Sequence, residues 1–270
     1  MLKINNITKT FNPGTVNEVR ALQGVSVEIE EGGFVCVLGT NGSGKSTALN
    51  AVAGAFIVDE GTIKLDGVDI TRWSEHKRAK YIGRVFQNPF SGTAPNMSIQ
   101  ENLALAMKRG KTRGIGWGLP KSLVGDFKRL VKPLNMGLEE RLESPMGKLS
   151  GGQRQALTLL MSTILKPKLL LLDEHTAALD PKTASKVIDL TQQVIAKDRL
   201  TTLMVTHSMQ QAVNLGDRII MMHLGKIAYD FRGEDKKRLK VKDLLTLFDE
   251  LRRKDNIDPS VAALLEEYYI

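Results

Sequence analysis

The run Gly39-Thr40-Asn41-Gly42-Ser43-Gly44-Lys45-Ser46 places glycine, lysine and a hydroxyl at the spacing G-x-x-x-x-G-K-[ST]. Glycines let a backbone close around an anion with several N–H groups turned inward. The helix that follows aims its positive end at the same point. In such a loop Lys45 reaches the β- and γ-phosphates of a nucleotide, and the Ser46 hydroxyl coordinates Mg²⁺. A site of this kind also needs an acidic metal anchor at the end of another core strand. The apolar run Leu169-Leu170-Leu171-Leu172, followed by Asp173, supplies one. Glu174 comes next, placed to take a proton from water attacking the γ-phosphate. Alone, either run could be a solvated turn; together they point to nucleotide chemistry.

These residues need elements to carry them. Phe34-Val35-Cys36-Val37-Leu38 is a continuous apolar run ending at Gly39, as a buried parallel strand would read, and residues 47–55 read as a helix rich in Ala and Leu. Leu2, Ile4 and Ile7 open a strand, Val25 to Ile29 alternates like a half-buried one, and Thr62 to Gly67 reads as a strand entering a turn. Between about residues 88 and 165 the strand signal fades. Ile99 to Met107 and Leu123 to Val131 have helical spacing, with a Gly-rich basic connector over Lys108 to Gly118. The runs Leu169–Leu172 and Thr202–Val205, with a helix-like Thr183 to Lys197 between them, form a βαβ unit. The expected fold is α/β: a phosphate-loop NTPase core over 1–233, with a mixed N-terminal β subdomain and a helical insertion at about 88–165.

Residues 234–270 extend beyond that core. Lys236, Lys237, Arg238, Lys240 and Lys242 make a basic cluster. Val241, Leu244, Leu245, Phe248 and Leu251 then lay one apolar stripe along a helix, and Val261, Leu264, Leu265 and Tyr268 suit a second. The stripe could pack on its own subunit or meet a second copy; the basic cluster could attract anionic lipid.

Composition narrows the classes. At 270 residues, 42% hydrophobic and 25% charged, the chain is ordinary globular protein. Aromatic residues at 5% argue against a stacking platform for single-stranded nucleic acid. The single Cys36 excludes a disulfide scaffold. No apolar run approaches the roughly 20 residues of a membrane span, and the amino terminus lacks a signal-peptide core, so a cytoplasmic location is expected. The net charge of +8 points weakly to an anionic partner.

Leu149-Ser150-Gly151-Gly152-Gln153 makes the reading more specific. With this run the chain resembles the ATP-binding cassette (ABC) family over about residues 1 to 233. The resemblance implies that Phe11 stacks on adenine and that Gly39 to Thr47 is the phosphate loop. Gln87, opening the helical insertion, contacts metal or water. Ser150, Gly151, Gly152 and Gln153 form the signature. Asp173 holds the metal, Glu174 is the base, Ala178-Leu179-Asp180 crosses a dimer seam, and His207 contacts the γ-phosphate. The cofactors implied are ATP and Mg²⁺. Without the resemblance, Phe11 is equally a core aromatic, His207 a satisfied strand-end histidine, and Asp180 a cap for the following helix.

The resemblance further implies a head-to-tail homodimer, with each ATP between one phosphate loop and the other subunit's signature. Two departures stand out. His175 follows Asp173-Glu174 where the family commonly has Pro, and Asn12 to Val19 lengthens the loop after Phe11. A single cassette without a span resembles a bacterial importer's ATPase subunit, peripheral at the cytoplasmic face of the membrane. Its partners would be integral permease subunits docking near Asn88–Ser98, and an extracytoplasmic solute-binding protein; nucleic acid is not expected. The solute class is a small organic molecule such as an amino acid. The alternatives are an exporter subunit and a soluble ATPase of the iron–sulfur assembly type.

Overall fold

The computed structural model describes residues 1–111 and 123–254, the side chain of Lys254 excepted. The end of the basic connector and the second C-terminal helix expected above lie outside the described residues.

In chain order the first elements are β1 (Leu2–Phe11), β2 (Val19–Ile29), β3 (Phe34–Gly39), α1 (Lys45–Ala53), β4 (Glu60–Leu65), β5 (Val68–Asp69) and α2 (Glu75–Arg78). Then come β6 (Ile82–Val85), α3 (Ile99–Met107), α4 (Leu123–Val131), α5 (Gly151–Thr163), β7 (Leu169–Asp173) and α6 (Pro181–Asp198). The chain continues with β8 (Thr202–Val205), α7 (Met209–Leu215), β9 (Arg218–His223), β10 (Lys226–Arg232), α8 (Gly233–Arg238) and α9 (Val241–Lys254). Two compact units result: Met1–Glu75 with the chain from Thr201 onward, and His76–Leu200.

The first unit holds an antiparallel sheet, β2-β1-β4-β5, and a set of strands around β3. β3 pairs in parallel with β8, Phe34 opposite Thr202, and with β9, Gly39 opposite Met222. β10 closes the edge antiparallel to β9. Every residue of β3 is buried, which is why its sequence is apolar without alternation. β10 alternates between exposed and half-buried positions, as a one-sided edge strand does. α9 packs against α7 in this unit, with Leu244, Phe248 and Leu251 buried. The apolar stripe read in the extension therefore covers its own subunit.

The second unit pairs β6 with β7 in parallel, Val85 opposite Leu172. Its helical part has its own core, in which Leu103, Phe127, Val131, Leu138, Met146 and Leu157 are fully buried. α3 begins at a capping box: the Ser98 side chain accepts from the Glu101 N–H, and the Glu101 carboxylate accepts from the Ser98 N–H.

Helices α3 and α4 have the expected bounds. α1 starts two residues before the expected one, because the loop glycines end at Gly44 and Lys45 is already helical. β5, β6, β9 and β10 have no counterpart among the strands read from sequence. β5 and β6 have only two and four residues, whereas the apolar run of β9 and the alternation of Ile227, Tyr229 and Phe231 in β10 are legible signals that sequence reasoning missed.

Candidate nucleotide site

In the first unit β3 delivers the chain into the phosphate loop. A Cβ on Gly39 would lie 2.4 Å from the Met222 carbonyl and 2.5 Å from Ser43 Oγ, so no larger residue fits there. Gly42 and Gly44 take positive φ of 77° and 96°, which turns consecutive N–H groups inward. The loop is tied down by Ser43 N–H to the Thr40 carbonyl at 3.1 Å and by Gly225 N–H to the Ser43 carbonyl at 3.0 Å.

Lys45 is buried, and its ammonium donates to the carbonyls of Gly39 (2.7 Å) and Thr40 (3.0 Å). Ser43 Oγ is buried with no hydrogen-bond partner. α1 starts at Gly44 with no side-chain cap, so its first N–H groups are not taken by a cap side chain. A folded-back cation, an orphaned hydroxyl and an uncapped helix start form a cradle that fits a polyphosphate.

β8 runs parallel to β3 and ends just before Thr206 and His207. Parallel strands bring their carboxyl ends to one edge, so His207 and the phosphate loop share that edge. The turn is fixed by Ser208, which caps α7, and by a 2.9 Å bond from the Thr206 hydroxyl to the Gln211 side chain. Phe11 ends β1 with 36% of its surface exposed and meets Phe56 edge to face at 5.4 Å. Lys9 lies 5.7 Å from the Phe11 ring centre. The long loop after Phe11 is an ordered turn, closed by Thr15 N–H to the Asn12 carbonyl and Gly14 N–H to the Glu18 carboxylate.

The second unit carries the acids. Asp173 is the last residue of β7, buried, with Arg84 Nη2 3.4 Å from its carboxylate. Glu174 adopts a left-handed backbone, φ 43°, turning the chain sharply off the strand. Its carboxylate accepts a 2.8 Å hydrogen bond from Gln87 Nε2. Gln87, for which the resemblance implies a metal or water contact, is thus hydrogen-bonded to the acidic end of β7. His175 turns the other way. It is fully buried, and its Nε2 lies 3.1 Å from Thr191 Oγ1 on α6. Burial pulls its pKa down to about 4, so it is neutral at pH 7. The Thr191 hydroxyl donates to the Val187 carbonyl, so its oxygen accepts and the His175 proton resides on Nε2. His175 serves packing of the acidic loop on α6.

Ser150 caps α5. Its hydroxyl oxygen accepts from Gln153 N–H, and the Gln153 side chain accepts from Ser150 N–H, a capping box that leaves the hydroxyl proton to donate. A Cβ on Gly152 would lie 2.0 Å from Thr183 Cγ2, so this glycine also lets α5 approach α6. Asp180 caps α6, its carboxylate accepting from Thr183 N–H at 3.0 Å. Hydrogen bonds from Thr183 hold its pKa below the usual carboxylate range. The capping alternative for Asp180 is therefore realised.

Sequence reasoning did not find Arg84 beside Asp173, nor Arg154, buried under the Phe90 ring. An arginine on a short strand or helix gives no pattern that separates it from a surface charge.

The family model for ABC transporters matches residues 22–177. A tyrosine transport ATP-binding protein of Clostridioides difficile (strain R20291) is 43% identical over 251 residues, 92% of this chain and 99% of that protein. A spermidine/putrescine import ATP-binding protein of Haemophilus ducreyi is 34% identical over 85% of this chain, which spans only 57% of that relative. A dimeric ATP-binding cassette in a post-hydrolysis state with ADP and phosphate superimposes with TM-score 0.73 at 30% identity, covering 86% of this chain and 98% of that one. A nucleotide-free cassette of an ABC transporter gives 0.74 at 26% identity, over 91% and 95%. The chain belongs to the ABC transporter family and has its mixed α/β cassette fold. It is an ATP-binding, ATP-hydrolysing subunit of that family, the kind that powers transport.

Proposed function

We propose that this chain powers bacterial import of an amino acid of the tyrosine class. The carrying observation is its 43% identity to a tyrosine transport ATP-binding protein along 99% of that protein. In this reading residues 1–233 are the ATPase domain, 88–165 its helical insertion, and 234–270 a C-terminal extension. The subunit sits at the cytoplasmic face of the membrane, bound to permease subunits, and an extracytoplasmic binding protein delivers the solute. Among the described residues no helix is long and apolar enough to cross a membrane.

Lys45 and the N–H groups of Gly39 to Thr47 hold the ATP phosphates, and the Phe11 ring stacks on adenine. Mg²⁺ would be held by Ser46, Gln87 and Asp173, where it neutralises charge on the phosphates. One hydroxyl, one amide and one carboxylate suit a cation that takes its remaining ligands from phosphate and water, and no cluster of three acidic, His or Cys side chains competes among the described residues. Glu174 takes the proton of the attacking water, Gln87 orients that water, and His207 donates to the γ-phosphate. Ser150 to Gln153, with Asp180 beside them, face the nucleotide of a second copy, as the dimeric cassette of similar fold supports. Phe90, 58% exposed, leads the permease-docking surface Asn88–Ser98.

Size-exclusion chromatography of Glu174→Gln tests the two-subunit site. This variant binds ATP without hydrolysing it, and saturating ATP with Mg²⁺ is expected to shift it from monomer to dimer. A monomer under those conditions refutes the shared site. For the import assignment, uptake of labelled tyrosine by cells lacking this chain is expected to fall, with restoration by the intact chain and none by Lys45→Ala.

A further inference from the structure

The surface after Gln87 is joined to the signature helix through one buried cation. Phe90 is 58% exposed, yet its ring centre lies 3.7 Å from the guanidinium carbon of Arg154. Arg154 sits in the first turns of α5 and is 1% exposed. Its Nη2 reaches the carbonyls of Met146 (3.1 Å), Gly147 (3.0 Å) and Leu149 (3.4 Å). Its Nε and Nη1 are buried without a hydrogen-bond partner. A buried cation without a carboxylate is costly unless dipoles or a π-face compensate it. Here three carbonyls and the Phe90 face do so.

The backbone joins the same two stretches. Gly147 N–H donates to the Pro95 carbonyl at 2.8 Å and Met146 N–H to the Met97 carbonyl at 2.9 Å. Ser98 and Pro145 form an isolated bridge. From the other side Asn102, 1% exposed, accepts from Ala94 N–H and donates to the Ala94 and Ser98 carbonyls at 3.1 and 2.9 Å. Residues 90–98 and 145–149 are therefore one hydrogen-bonded body, and that body ends at Ser150, the cap of α5.

We propose that Arg154 is a positioning residue that clamps the Phe90 loop to the first turns of the signature helix, so that a membrane subunit bearing on Phe90 moves Ser150–Gly152 with respect to the nucleotide of the opposite subunit. The proposal rests on the docking and two-subunit readings above. Its physical content is that altering an exposed ring remote in sequence from the phosphate loop changes closure of the dimer without changing nucleotide binding by the monomer.

The test uses the full chain in the Glu174→Gln background. Phe90→Ala removes the ring but none of the backbone bonds of the loop. ATP affinity of the monomer is expected to stay at the parental value, while the ATP concentration for half-dimerisation rises about fivefold, the size of one cation–π contact. In the hydrolysing chain the same substitution lowers kcat by a similar factor and leaves KM. Phe90→Tyr keeps the stack and restores both readouts. Arg154→Lys keeps the charge, loses the planar face, and reproduces Phe90→Ala; if it does not fold, the two Phe90 variants decide alone. A merely structural contact lowers the melting temperature and leaves the dimerisation threshold in place, which overturns the proposal, as does a Phe90→Ala chain with parental threshold and kcat. If the Glu174→Gln parent itself stays monomeric, the two-subunit reading falls and this proposal with it. If Phe90→Asp still co-purifies with the permease, the docking reading falls instead, and the membrane half of the proposal with it.

Discussion

Gln87 donates a 2.8 Å hydrogen bond from Nε2 to the carboxylate of Glu174. The proposed general base is thereby held by Gln87, at a point where the backbone of Glu174 is left-handed. A carboxylate has two oxygens and several acceptor sites, so this bond orients Glu174 without using up its capacity to accept a proton from water. A displacement of Gln87 would therefore change the orientation of the Glu174 carboxylate.

Replacing Gln87 by Ala removes that tether and the orienting amide together. The expected outcome is ATP binding within a few-fold of the parent and a kcat lower by about 10²-fold, the typical loss for one positioning group. Glu174→Gln is expected to lose at least as much while still binding ATP. Steady-state ATPase kinetics alongside nucleotide binding check both. Parental turnover by Glu174→Gln would show the base to be another residue.

At the phosphate loop the balance between binding and turnover differs. Lys45→Ala removes the cation now resting on the Gly39 and Thr40 carbonyls, and nucleotide affinity is expected to collapse. His207→Ala is expected to spare affinity and reduce kcat by about 10²-fold, because its proposed contact is with the reacting phosphate. Equal loss of affinity in both variants would remove the distinction between their roles.

His175 supplies a pH dependence. Its native pKa of about 4 lies below the ordinary histidine value of about 6.5, so as pH falls the unfolded chain takes up this proton first. Stability is full above about pH 6.5, declines between there and about 4, and is level below. By pH 5 the deficit is about 2 kcal/mol at ~1.4 kcal/mol per pKa unit. Urea unfolding of the parent and His175→Leu at pH 7.5 and pH 5 isolates it, since the Thr191 hydroxyl keeps its bond to the Val187 carbonyl. The parent should lose more stability than the variant across that interval; parallel losses would mean His175 accepts a proton in the folded state.

Phe248 is buried where α9 packs on α7. Phe248→Ala is expected to cost about 3–5 kcal/mol, a fall in melting temperature on the order of 10 °C. ATP-driven dimerisation of the folded remainder should keep its threshold. Calorimetry with sedimentation separates the outcomes: an unchanged melting temperature with a raised threshold would place the stripe at the subunit seam.

What the sequence by itself determined is local. The spacing of Gly39, Gly44 and Lys45, the unbroken apolar runs before Gly39 and Asp173, and the helical periods of 99–107 and 123–131 are dictated over a few residues, by backbone sterics and by which faces must leave water. These set Gly39 to Lys45 between a strand and a helix and put Asp173 at the end of a strand, whereas Leu149 to Gln153 is legible only through the family resemblance. Tertiary structure decided which polar atoms meet. Gln87 reaches Glu174 across 87 positions of chain, His175 turns to Thr191 and away from the site, and Arg154 lies under Phe90. It also decided that the stripe on α9 faces its own subunit, because an apolar face specifies burial and not what buries it. A hydrogen bond between residues far apart in sequence depends on the packing of whole elements, and no local period encodes that distance.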